Sequence, residues 1–191
     1  MQAPESAGDF GWFTAWVGQR LGVCLTFARG ISCEQLLAGF DLDSATAPRD
    51  AMEETFAEAD DDPDRPKVRA GELDGWAYAV EHFTSKGAQP DTLCRLSANG
   101  GEALALVYTQ TISAFNYAAN GEYVSGFDLV VPNIRWGSDP HRFDATMEQA
   151  GFLRPGIPEP RVMGARFVQL TFGITLDQHM IERALPSVEV R

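Results

Sequence analysis

The chain has 191 residues, 45% of them hydrophobic and 22% charged, with a net charge of −12; that balance excludes a disordered chain and supplies enough apolar material for a core. The carboxylate excess argues against unaided binding to nucleic acid or to an anionic membrane, both of which are polyanions. Cys24, Cys33 and Cys94 fall at long, irregular spacings, which excludes a Cys-x-x-Cys metal knuckle and argues against a disulfide framework.

At the N-terminus, Glu5 and Asp9 stand where a signal peptide would need positive charge. Gln19 and Arg20 break the apolar stretch that follows, and no run approaches membrane-spanning length. A reduced, cytoplasmic protein is expected. Phe10, Phe13, Trp16 and Val17 recur at helical spacing behind Asp9, an N-cap residue, with Trp12 one position off the stripe. Residues 22–28 read as a buried strand ended by Gly30. Ser32-Cys33-Glu34-Gln35 is a capping box opening a short helix through Leu36, Leu37 and Phe40. Residues 41–66 form a variable acidic insert. Within it, Asp50 to Glu58 is predicted helical with Met52 and Phe56, and Asp60 to Pro66 is predicted to be an exposed loop.

Lys67 to Leu73 and Gly75 to Phe83 are two strands joined at Asp74-Gly75, a hairpin dipeptide. Trp76, Tyr78, Val80 and His82 share one side of the second strand; Ala77, Ala79, Glu81 and Phe83 share the other. Leu93 and Leu96 fit one helical turn before Asn99-Gly100-Gly101. From Glu102 to Leu129 three strand-like runs follow, predicted to be a meander at the centre of an antiparallel sheet. Asn120-Gly121 sets a hairpin register of Ala119 with Glu122, Tyr117 with Val124 and Phe115 with Gly126. That register puts Phe127 on the face of Ala114 and Asn116. The first run alternates Leu104, Leu106 and Tyr108 against Ala103, Ala105 and Val107, so both sides are expected to be covered, with a helix close over the alanines. Asp139-Pro140 is predicted to open a helix to Gln149, stopped at Gly151. Val162 to Phe172 is predicted as a buried helix with Met163, Phe167 and Leu170 on one stripe. Thr175 is predicted to cap a last helix through Met180, Ile181 and Leu185, ended by Pro186. The expectation is one α+β domain over residues 1–191, with a mainly antiparallel sheet of about five to six strands, a hairpin plus a meander, covered by N- and C-terminal helices.

Several phrases occur together: Trp16 with Cys24-Leu25-Thr26-Phe27-Ala28-Arg29-Gly30, Gly75-Trp76 with Glu81, Gly101-Glu102-Ala103, Phe115-Asn116-Tyr117-Ala118, and Thr171-Phe172-Gly173-Ile174-Thr175-Leu176. In these the chain resembles an uncharacterised bacterial family abundant in actinomycetes, domain of unknown function 6461, over roughly residues 10 to 185. The resemblance implies a small cytoplasmic α+β protein and brings no activity or functional residues. The chain departs most from that pattern at 41–66 and 84–94.

Few residues suggest chemistry. Glu81 and His82 are adjacent, and on a strand they point to opposite faces, so they form no dyad. A carboxylate sharing a face with Ala77 and Ala79 must find a partner, such as Arg29, or carry a raised pKa. Cys33 at the first position of a capped helix is the other catalytic candidate, since a helix dipole lowers a thiol pKa; a packing thiol is the plainer account. His82, His141 and His179 are too far apart in sequence for a zinc pair. Asp60-Asp61-Asp62-Pro63-Asp64 lacks the glycine and closing glutamate of a calcium loop and reads as a solvated acidic run, available to a basic partner. No metal and no cofactor is implied. Trp76, Tyr78 and Trp136 are candidate binding aromatics, Trp136 as an exposed one.

The leading functional expectation is a non-catalytic acidic interaction module, an immunity-type inhibitor or accessory factor, that binds a basic protein. The alternative is a small-molecule enzyme or binder using a sheet-face pocket, with Glu81 as acid/base and Trp76 or Tyr78 in its wall. A structural subunit of a homo-oligomer is the third.

Overall fold

Asp74 and Gly75 both take positive φ, 49° and 82°, as do Asn120 and Gly121 at 54° and 80°; these are the conformations a two-residue hairpin turn requires. The first pair joins β3 (Lys67–Leu73) to β4 (Trp76–His82), and the second joins β6 (Ser113–Ala119) to β7 (Glu122–Asp128). The computed structural model describes residues 11–20, 22–42, 48–52, 55, 62, 64–152 and 159–190. Asp9, Phe10, Phe56, Glu58, Asp60 and Asp61 therefore lie outside the described residues.

The remaining strands are β1 (Gly22–Arg29), β2 (Arg49–Asp50), β5 (Glu102–Thr109), β8 (Arg135–Trp136) and β9 (Leu185–Glu189). The helices are α1 (Gly11–Gly18), α2 (Cys33–Gly39), α3 (Pro90–Leu96), α4 (Asp144–Ala150), α5 (Pro160–Phe172) and α6 (Gln178–Glu182), with a 3-10 turn at Lys86–Ala88. The fold is α+β, as expected, on one antiparallel sheet. That sheet has nine strands among the described residues, in the order β2-β9-β3-β4-β1-β5-β6-β7-β8. The expectation of five to six strands missed the two-residue edges β2 and β8, which carry no alternation to read. It also missed β9, where a helix through Leu185 was predicted. Asp177, not Thr175, caps α6 by accepting the His179 N–H, and the chain leaves the helix at Arg183 to pair with β2 and β3.

The centre of the sheet is β1, flanked by β4 and β5, and not the meander, which forms one wing. β1 is buried on both faces along seven of its eight residues, which is why it reads as a continuous apolar run. Its alternation divides the core in two. Leu25, Phe27, Trp76, Tyr78, Val80, Leu104, Leu106 and Tyr108 face one layer, closed by α1, α4, α5 and α6. Cys24, Ala28, Ala77, Ala79, Ala103, Ala105 and Val107 face the other, closed by α2 and α3. The large-face and small-face expectation therefore holds: the short alanine side chains leave room for helices to sit close. The large layer is rich in edge-to-face ring pairs, including Phe115 with Phe143 and Phe167. Gly164 of α5 follows from the same closeness, since a Cβ there would stand 2.5 Å from the Tyr108 hydroxyl.

Three local expectations are corrected. The hairpin register holds for Ala119 with Glu122 and then shifts at a bulge between Tyr117 and Ala118, so Tyr117 pairs Ser125 and Phe115 pairs Phe127. Phe127 thereby moves onto the Phe115 face and into the aromatic layer, because one extra residue inverts every later side chain. The helix predicted from Pro140 begins at Asp144; the Asp139 N–H is bonded to Val124 O on β7, which keeps the chain on the sheet edge. Leu170 of α5 is about half exposed, off the stripe that Met163 and Phe167 bury.

Candidate functional site

Glu81 sits on the small face of β4 opposite Cys24 of β1 and Val68 of β3, with no solvent exposure. Its expected arginine partner is absent from it: Arg29 bonds instead to Glu102, at 3.2 Å. The carboxylate accepts two backbone N–H bonds from the 3-10 turn, from Lys86 at 2.7 Å and Gly87 at 3.0 Å. Burial outweighs the bonds from Cys24, Gly87, Lys86 and Thr84, which favour the charged form, and leaves its pKa raised to about 7. Gly87 is required by this closeness, since a Cβ there would overlap the Thr26 hydroxyl and come 2.7 Å from Glu81 Oε1. Glu81 thus anchors the turn that leads into α3. It lies across the sheet from Trp76 and Tyr78, which face the other layer, so the three do not share a pocket.

Cys33 does not have a lowered thiol pKa. Burial, then the charges of Glu72 and Glu34, raise it. The helix end that would stabilise a thiolate is already occupied, because the Cys33 N–H donates to Glu72 Oε1 at 2.9 Å. Burial and Glu81 likewise raise Cys24. Trp136 is half-buried, not exposed: its indole packs over Gly126 and donates to Asn116 Oδ1 at 3.0 Å, beside a Tyr123 hydroxyl bonded to the same oxygen. Tyr78 is buried, with its hydroxyl donating to Met180 O at 2.6 Å. Asp62 is exposed. Among the described residues no group of three or more potential ligands could hold a metal ion, and no helix is long and apolar enough to cross a membrane.

Two features were missed in the sequence. Arg69, fully buried on β3, donates to Ile181 O at 2.7 Å, Arg183 O at 2.5 Å and Asp50 O at 3.3 Å. Burial lowers its guanidinium to about 10, so it stays charged at neutral pH and serves the carbonyls at the end of α6 as a cation should. The period-two pattern of Val68 and Ala70 could have located it, since Arg69 then has to face the opposite layer. The second is a group of exposed aliphatic side chains, Ile112, Val130, Val131 and Ile134, each near half exposure. They stand on two turns tied together by the Leu129 N–H to Ser113 O.

Clefts occur elsewhere on the surface. One of about 230 Å³ is lined by Arg29, Leu73, Asp74, Trp76, Phe172 and Ile174. A wider one of about 350 Å³ lies between α1 and α6, against Trp12, Trp16, Arg20 and Met52.

The family model described as a family of unknown function, DUF6461, matches residues 3–158. The match ends before the Thr171–Leu176 phrase, although α5 and β9, beyond it, complete the large layer and the sheet. Neither the curated proteins nor the solved structures gave a match.

Proposed function

We propose a binding role for this chain, which belongs to the DUF6461 family of unknown function: an acidic interaction module, of the immunity or accessory-factor kind, for a basic protein partner. The observation that carries this is the apolar end of the sheet, where Ile112, Val130, Val131 and Ile134 remain about half exposed on adjoining turns. Aliphatic side chains grouped in that way commonly mark a protein contact. The net charge of −12 supplies steering towards a basic surface, and the apolar end would supply the dry centre of the contact.

The test is affinity capture from native lysate with wild type and with the Ile112→Ser/Ile134→Ser variant. A basic protein held by the wild type, released by salt and weakened by the variant supports the proposal. Retention indifferent to both salt and substitution would overturn it. The other reading, a small-molecule enzyme or binder built on Glu81, has in its favour a carboxyl titrating near 7. Against it stand the complete burial of that carboxyl and its separation from Trp76 and Tyr78 by the sheet.

A further inference from the structure

The turn that covers Glu81 has few other moorings. Among the described residues, the backbone between Thr84 and Ala88 bonds outside itself to that carboxylate, from Lys86 and Gly87, and to the neighbouring Cys24 thiol, from Ala88. The bonds from Ala88 N–H to Ser85 O at 3.1 Å and from Gln89 N–H to Lys86 O at 3.2 Å stay within the turn, and the Ser85 side chain does not cap it. Beneath it, solvent reaches neither Glu81 nor Cys24. The surrounding elements bring no counter-ion among the described residues. β1 presents Cys24 and β3 presents Val68. α2 keeps Glu34 exposed, and α3 keeps Asp91 and Arg95 exposed. Lys86, the charged residue of the turn itself, meets the carboxylate through its N–H. Cys24 is therefore the titratable side chain that faces Glu81, and burial together with Glu81 keeps its thiol protonated.

We propose that the turn from Thr84 to Ala88 is a pH-sensitive latch: it closes over Glu81 while the carboxyl holds its proton, and it opens by itself, with the sheet intact, once the carboxyl is charged, uncovering Cys24. A carboxylate taken out of water with no counter-ion is costly, and two amide donors replace only part of the hydration it loses. Release of the turn returns the carboxylate to water. The loss is a few hydrogen bonds from a short, uncapped and partly exposed segment, the kind that opens well below the global unfolding free energy. The raised pKa of about 7 agrees in sign and sets the range: the closed form keeps a proton that the open form gives up, so acid favours closure and opening grows as pH rises towards 7. The latch stands apart from the proposed binding role, since Ile112, Val130, Val131 and Ile134 belong to other turns.

The test is amide hydrogen exchange of the full chain, followed by NMR across acidic and neutral pH in wild type and in Glu81→Gln. Beyond the acceleration that base catalysis gives every amide, the Lys86 and Gly87 amides of the wild type should gain about tenfold more per pH unit between about pH 5 and 7, one proton being released per opening. The gain should stop above that range and be absent from Glu81→Gln. These two amides should also exchange faster than Leu25 of β1 and respond little to low urea, because a local opening exposes little surface. Iodoacetamide labelling of Cys24, in a Cys33→Ser/Cys94→Ser background, reads the same opening at the thiol and should follow the Gly87 amide. Lys86 and Gly87 amides that exchange no faster than Leu25, a pH slope unchanged by Glu81→Gln, or Cys24 labelling that follows Leu25 instead would each overturn the proposal.

Discussion

Glu81 and Gly87 are joined by a 3.0 Å hydrogen bond from the Gly87 N–H to a carboxylate that solvent does not reach. The burial of that carboxylate, which outweighs the bond, makes stability depend on pH. The carboxyl has its pKa raised from 4.5 to about 7 in the folded protein, so between those values the native state holds a proton that the unfolded chain has released. Stability is therefore fullest below pH 4.5 as far as this group is concerned and declines as pH rises to 7, by about 3 kcal/mol at 1.36 kcal/mol per unit. Glu81→Gln should remove this decline, being less stable than wild type at acidic pH, where one N–H loses its acceptor, and more stable at pH 8. Denaturant midpoints across pH measure it; parallel curves for the two proteins would contradict it.

Substitution of Gly87 by Ala should cost roughly 1–3 kcal/mol, the usual range for overpacking. The new methyl would overlap the Thr26 hydroxyl and stand 2.6 Å from Phe40 Cζ, in a layer formed of strands and closely packed helices. A lowered urea midpoint with an unchanged slope is the expected result.

Arg69→Met should destabilise the chain by roughly 3–9 kcal/mol, since each of the three carbonyls left without its donor costs about 1–3 kcal/mol. The loss should concentrate on β9 and the end of α6, because Ile181 O and Arg183 O belong to that segment. Amide exchange at Val188 and Ser187, which pair with β3, should speed up more than exchange in β5.

Much of this architecture is written in local pattern. Asp74-Gly75 and Asn120-Gly121 fix two hairpins because few residues accept positive φ, and the alternation of Leu104 and Leu106 with Ala103 and Ala105 separates a deep layer from a shallow one. What local pattern does not carry is strand order. β1 is remote in sequence from β4 and β5, and nothing in Val23-Cys24-Leu25 says that it lies between them. The bulge at Tyr117/Ala118 was equally hidden, since it changes pairing without changing composition. Leu185 and Pro186 read as a helix end because the residues they pair with, Asp50 and Arg49 of β2, lie more than a hundred residues earlier.

The site residues follow the same division. Burial of Glu81 was legible from its alanine neighbours; its partners were not, because they are backbone groups on a turn with no sequence signature. Cys33 was correctly placed at a helix start, yet Glu72, from β3, occupies that end and reverses the effect on the thiol. Trp136 in a polar stretch suggested exposure, and only the pairing of β8 with β7 brings it over Gly126.

The most direct test of the proposed role is the association rate of the captured partner at low and high salt, for wild type and for Ile112→Ser/Ile134→Ser. An acidic module steered to a basic surface predicts an on-rate that falls steeply with salt for both proteins. It also predicts faster dissociation of the variant at any one salt, since the apolar contact acts after encounter. An on-rate unchanged between low and high salt, or equal dissociation of the two proteins, would contradict it.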